Sequence, residues 1–225
     1  MQADFNRPVL AIDTGTSRLS LALRADGETR LFHQEVGSRQ SELILPEIRT
    51  LFRDAGITAA DLGAVVYAQG PGAFTGLRIG IGVAQGLATP FDTPLIGVPS
   101  LDAAASLPPP QSCILAATDA RMGEVFYAWF DTLNCRRLSD YQVGRVADIR
   151  LPEGCAFSDG IGSAFALEEA PPFSGRPDMP TAADFLALAA KGGYAAVHAA
   201  DAGLLYVRNK IALTAKEQAE RRARP

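Results

Sequence analysis

LAIDTGTSRLSLAL, residues 10–23, sets the architecture of this chain. Residues 8–14 form a short, almost continuous apolar run, the pattern of a strand covered on both faces. The run ends in a turn, Asp13-Thr14-Gly15-Thr16-Ser17, after which Leu19, Leu21 and Leu23 alternate with Ser20 and Ala22 in a returning strand. The same design recurs downstream. Residues 113–118 are apolar, Asp119-Ala120-Arg121-Met122-Gly123 is the turn, and Val125, Tyr127 and Trp129 alternate after it. Asp119 lies 106 residues after Asp13, which superposes those three residues on Leu19, Leu21 and Leu23. A repeat at about half the chain length predicts two related α/β halves, each opening with a strand–Asp-turn–strand hairpin.

The first half is the more complete. Ala25-Asp26-Gly27 signals a hairpin into a third strand over 29–36. Residues 41–55 follow with helical periodicity, Ile44, Ile48, Leu51, Phe52 and Ala55 on one side and Pro46 placed near the start. Strands over 64–68 and 94–98 flank a glycine-rich helix, and Ser100 is expected to cap a short helix to about Ser106. Leu107-Pro108-Pro109-Pro110 is the clearest linker and divides the chain into an N-terminal subdomain, 1–106, and a smaller C-terminal one, 107–225. In the second half, 154–165 reads as strand, turn and helix start, and 171–180 as an exposed Pro-rich loop. Residues 181–190 form a helix capped by Thr181, ended by Gly192-Gly193. Residues 204–209 read as extended and 215–224 as a polar, helix-prone tail.

The glycine-rich helix, GPGAFTGLRIGIGVAQGLA at 70–88, carries Gly76, Gly80, Gly82 and Gly86 in its helical part. Each interior glycine costs about 1 kcal/mol relative to alanine, so four cost roughly 4 kcal/mol against a net stability of about 5–15 kcal/mol. Close packing must offset that. Gly76, Gly80, Ala84 and Ala88 recur every fourth residue and form a ridge of small side chains that admits another backbone. Ile79, Val83 and Leu87 form an adjacent apolar row, with Leu77 and Ile81 beyond it. A helix apolar on most of its circumference is buried on most of it. The expectation is packing on its own sheet with one side and on a second helix, from this chain or a partner chain, with the other. Arg78 reads as an interface anchor or a lone surface arginine, and Thr75 as a helix cap or a partner contact.

Composition narrows the function. The 225 residues carry a net charge of −4, with 21 Lys and Arg against 25 Asp and Glu, which is not the basic balance of a free-standing nucleic-acid binder. The N-terminus lacks the apolar run of a signal peptide, and the most apolar helix is too short to span a bilayer. Cys113, Cys135 and Cys155 form no Cys-x-x-Cys pattern and read as reduced thiols. The two histidines, His33 and His198, are far apart without metal-ligand spacing, and His33 reads as an ordinary strand residue. No Gly-x-Ser-x-Gly elbow marks a nucleophile.

Two turns carry the remaining chemistry. Asp13, Thr14, Gly15 and Thr16 can direct amides and hydroxyls at a phosphate, with Asp13 beside a hydrated Mg²⁺. They read equally as a hairpin turn with Asp13 bonding the turn amides. Asp119 and Arg121 occupy the matching turn, and two such turns facing across a cleft would clamp a phosphate from both sides. Gly160-Ile161-Gly162-Ser163 reads as a loop or as an approach to an adenosine.

Together, 10–23, 70–88, IGVPSL at 96–101, ATDARMGEVFYA at 117–128 and YVRNKIA at 206–212 resemble the bacterial TsaB family, in order over about residues 9–212. The resemblance implies the duplicated actin/Hsp70/sugar-kinase fold with a truncated second half. It implies a cytoplasmic, non-catalytic subunit with no metal or cofactor of its own, binding ATP or ADP with Mg²⁺ at most weakly or in a complex. The implied partners are the catalytic paralogue TsaD and the ATPase TsaE, with homodimers when the chain is alone, contact with tRNA at most indirect, and no membrane. The complex transfers threonylcarbamoyl to N6 of the adenosine 3′ of the anticodon. The implied interface maps onto Phe74, Thr75, Gly76, Arg78, Ile79, Gly80, Val83, Ala84 and Leu87, with the 41–55 helix beside it. The nucleotide-site residues Asp13, Thr14, Gly15, Thr16, Asp119 and Arg121 would be vestigial. The alternatives are an ATP-dependent small-molecule kinase of the same fold and, against the missing ligand spacing, a glycoprotease-like metallopeptidase.

Overall fold

The computed structural model describes residues 1–207. The opening hairpin pairs β1 (Val9–Asp13) antiparallel with β2 (Arg18–Ala25), and β2 with β3 (Glu28–Glu35). Helix α1 (Gln40–Ala55) follows, then β4 (Ala64–Gly70), helix α2 (Phe74–Ala88), β5 (Leu95–Pro99) and the short helix α3 (Ser100–Ala105). β1, β4 and β5 run parallel, each crossover carrying a helix.

β1 explains the covered-strand pattern. Leu10 and Ile12 face a core shared with Ile44 and Ile48 of α1 and with Ile81 and Ala84 of α2. Val9 and Ala11 face the opposite side, against Phe185, Leu186 and Ala189. Both faces being dry, alternation disappears from the strand.

The second half repeats the hairpin as β6 (Ile114–Arg121) and β7 (Glu124–Asp131), antiparallel as expected. β8 (Arg136–Arg137) and β9 (Gln142–Gly144) pair with β7, and β10 (Asp159–Ile161) lies parallel to β6. The fully buried helix face of α3 is shared, Ala103 with the first sheet's core and Leu101, Ala104 and Ala105 with the second. That small helix joins the two sheets.

The end of the described chain departs from a division at 106/107. Helix α4 (Ala182–Ala190) returns to the first sheet, and β11 (Ala196–Val197) extends that sheet beyond β5, giving the order β11-β5-β4-β1-β2-β3. The reason is chemical complementarity. The first sheet's second face would otherwise expose Val9, Ala11, Val66 and Val98, and the apolar side of α4 covers it. The Ala182 amide donates to the buried Ser20 hydroxyl at 2.8 Å and fixes the register. Thr181 caps α4 as expected, in a capping box with Asp184.

Three local expectations fail. Pro46 lies inside α1 rather than in its first turn. Thr75 does not cap α2, whose N-cap is Ala73; it is an exposed residue of the first turn. Ser100 is the first residue of α3 rather than its cap, and its hydroxyl has no hydrogen-bond partner among the described residues. Residues 215–224, read as a helix-prone tail, lie outside the described residues. None of the described helices is long and apolar enough to cross a membrane.

Candidate functional site

The two hairpin turns line a single cleft of about 930 Å³ between the sheets. They are built alike. The Asp13 carboxylate accepts the Gly15 amide at 2.8 Å, and the Asp119 carboxylate accepts the Arg121 amide at 2.7 Å. In each case the aspartate closes its own turn by bonding two residues ahead. Asp13 is the more deeply placed. Burial pushes its carboxyl up to about 6, opposed only in part by the Gly15 amide.

The turns differ in what they offer. The first is held rigidly. Gln40, at the start of α1, donates its side-chain amide to the carbonyls of Thr16 at 2.7 Å and Arg18 at 3.0 Å. The Ala73 amide donates to the Gly15 carbonyl at 2.7 Å. Gly15 and Thr16 line the cleft. Thr14 does not: it is buried, and its hydroxyl donates to the Gly76 carbonyl at 2.7 Å. The second turn bends through Arg121 and Met122, both left-handed, into Gly123. Met122 projects, 76% exposed, and the Arg121 guanidinium reaches back to its own Asp119 carboxylate at 3.3 Å. Such an arginine is already partly engaged.

Several lining residues carried no motif in the sequence. Gln40 sits at a helix start with no distinguishing neighbours. Ser163, two residues beyond the end of β10, accepts the Asp119 amide at 3.0 Å. Gly162, at φ 115°, approaches the Ala117 carbonyl of β6 too closely to admit a side chain; Gly160 and Ile161 belong to β10, so the loop reading holds for Gly162 alone. His33 lies in a strand as expected but also lines the cleft, with Nδ1 buried and without a hydrogen-bond partner among the described residues. Burial, then the Arg18 charge, holds its pKa below the usual histidine value. Among the described residues, no three His, Cys, Asp or Glu side chains are placed to hold a metal ion together.

The glycine-rich helix is oriented opposite to the expectation. Gly76, Gly80, Ala84 and Ala88 are all buried against the chain's own first turn and core. A Cβ on Gly76 would strike the Thr14 carbonyl, and one on Gly80 the Thr14 hydroxyl. The close backbone admitted by the small-residue ridge is therefore the β1–β2 turn, and Gly76, Gly80 and Ala84 are not available to a partner. The outward side holds Thr75, Arg78, Gly82 and Gly86, with Ile79, Val83 and Leu87 half-buried along it. Built Cβ atoms on Gly82 and Gly86 meet open space. Arg78 lies 3.4 Å over the Phe74 ring and donates to the Tyr206 hydroxyl at 3.3 Å. Residues 203–207 run extended across this end of α2, held by the Leu205 amide on the Gln69 carbonyl at 2.8 Å.

This whole arrangement has a structural counterpart. The solved structure of YeaZ from Pseudomonas aeruginosa superposes with a TM-score of 0.78 at 30% identity, covering 88% of this chain and 99% of that one. The family model described as TsaD, tRNA N6-adenosine threonylcarbamoyltransferase, matches residues 33–176. A protein of Escherichia coli named tRNA threonylcarbamoyladenosine biosynthesis protein TsaB is 42% identical over 123 residues, 53% of each chain. The chain belongs to the TsaB family. A Bacillus subtilis protein of the same TsaB name is 34% identical over 128 residues, 56% of each. This TsaB-family chain thus spans about half the length of the curated relatives it matches. Its two sheets, each opening with an Asp-turned hairpin over a common cleft, have the duplicated actin/Hsp70/sugar-kinase architecture with a reduced second half.

Proposed function

We propose that this chain is a non-catalytic dimerisation subunit, working in the cytoplasm beside a TsaD-type catalytic paralogue with a TsaE-type ATPase as a further partner. The complex would place threonylcarbamoyl on N6 of the adenosine 3′ of the anticodon. Family membership supports the pathway. The observation that carries the scaffold role is the outward side of α2. There Ile79, Val83 and Leu87 are incompletely covered, and Gly82 and Gly86 leave the backbone open to close approach. Helix α1 packs alongside on the same face of the sheet, with Leu45 51% exposed, so the two helices offer one continuous docking face. In the absence of the paralogue, the same face would pair with a second copy.

Gly82→Leu tests this. The position is exposed, and leucine is the better helix former, so the variant should fold. Pairing with the paralogue, followed by co-elution, should be lost, and tRNA modification by the reconstituted mixture should fall with it. Wild-type pairing by the variant would sink the scaffold reading.

A second reading, an ATP-dependent enzyme, has one observation in its favour. Ser100 is 7% exposed and lines the cleft near the Asp13 turn, its buried hydroxyl without a hydrogen-bond partner among the described residues. Asp13, the Gly15 region and Ser100 would then hold a nucleotide phosphate and its Mg²⁺. Tight ATP·Mg²⁺ binding by the isolated chain in calorimetry would favour this reading; weak or absent binding would leave the scaffold.

A further inference from the structure

We propose that Cys113 and Cys155 are a redox-responsive pair that closes to an intramolecular disulfide at the edge of the second sheet. Cys113 immediately precedes β6, 1% exposed, in the core with Leu115, Val125, Tyr127 and Trp129. The Ser158 amide donates to the Cys113 carbonyl at 2.9 Å, and Asp159 then pairs with Ile114. These contacts hold residues 155–158 beside the start of β6. Cys155, half-exposed, packs against the same core as Cys113, its thiol within interaction range of the Cys113 thiol. Cys135 sits apart in an exposed left-handed position between β7 and β8. Nothing about spacing in the sequence signals the pair, because the parallel β6–β10 pairing is what brings it together.

The chemistry follows from the asymmetry of the two thiols. A small disulfide such as glutathione disulfide reaches Cys155 first. The Cys155 thiolate attacks it, forming a mixed disulfide and releasing one glutathione thiolate. Cys113 then gives its proton to water and attacks the Cys155 sulfur, expelling the second glutathione thiolate. Two protein thiols are oxidised and one small disulfide is reduced to two thiols. Burial, with the neighbouring Cys155 thiol, pushes the Cys113 thiol above its ordinary range, so the second step is slow at neutral pH and quickens as pH rises and the thiolate fraction grows. The bridge closes the chain around β6, β7, β8 and β9 and so reinforces the sheet that carries the Asp119 turn.

The experiment is incubation of the full chain with glutathione disulfide, followed by peptide mapping without reduction. The expected product links the Cys113 and Cys155 peptides with loss of two hydrogens and raises the melting temperature. Cys135→Ser should form it equally, and Cys155→Ser should not. Glutathione persisting on Cys155, or modification of Cys135 alone with Cys113 still free to alkylate after unfolding, would overturn the proposal.

Discussion

The hydroxyl of Thr14 is bonded to the carbonyl of Gly76, 2.7 Å apart, so the first hairpin turn and the glycine-rich helix are one packed unit. Helix α2 lies against the turn at van der Waals range because Gly76 and Gly80 have no side chains there. The four glycines of the helix thus fall into two classes with opposite sensitivities.

Gly76→Ala should destabilise the protein by about 2 kcal/mol or more, since the new methyl overlaps the Thr14 carbonyl and the turn is braced by Gln40. Gly80→Leu should fail to fold rather than fold without pairing. Gly82→Ala, facing open space, should instead stabilise by up to about 1 kcal/mol. Urea denaturation of the three variants checks all of this; equal effects at Gly76 and Gly82 would contradict the orientation of the helix.

Asp13 predicts an unusual pH dependence. Its folded-state pKa, about 6, lies above the ordinary 3.8, so the folded chain holds the proton more tightly than the unfolded one. Below about 3.8 both states are protonated and Asp13 makes no difference to stability with pH. Between 3.8 and about 6 the unfolded state releases its proton first, and stability falls as pH rises, by up to about 3 kcal/mol in all. Asp13→Asn keeps an acceptor for the Gly15 amide and should remove that decline, raising the melting temperature at pH 7. An unchanged profile would show that Asp13 is not the responsible group.

The glycine helix, the repeat and the two Asp turns were legible in the sequence because each is a local pattern. Which way the ridge Gly76–Gly80–Ala84 points was not, since a small-residue row fits a neighbouring turn and a partner helix equally. The return of α4 was also hidden: its apolar positions satisfy either sheet, and only the uncovered face around Val9 and Ala11 selects one. Of the cleft, Asp13 and Asp119 carried signals. Gln40, Ser100 and Ser163 did not, because their roles depend on tertiary placement of common residue types.

Asp102 ties three segments together. Its carboxylate, on the N-terminal side of the linker, accepts the Tyr141 hydroxyl at 2.5 Å and the Tyr194 hydroxyl at 3.1 Å, both from residues beyond the linker. Burial, against the help of both hydroxyls, holds its pKa above the usual carboxylate range. Asp102→Ala should cost about 2–4 kcal/mol by leaving two hydroxyls unpaired, and Tyr194→Phe about 1–2 kcal/mol. In a double-mutant cycle the two changes should be far from additive. Additivity within experimental error would show that the tie carries no coupling.

The placement of α4 and β11 on the first sheet has a consequence for how the molecule comes into being. The first sheet is finished only by residues that follow the entire second one, so a ribosome must release nearly all of the described chain before that sheet is covered. Until then Val9, Ala11 and Val66 remain wet on one face, and the nascent first half is an incomplete, adhesive intermediate. Its last contacts join residues more than 160 apart, such as Ser20 and Ala182, and closing them is the slow, long-range step of assembly.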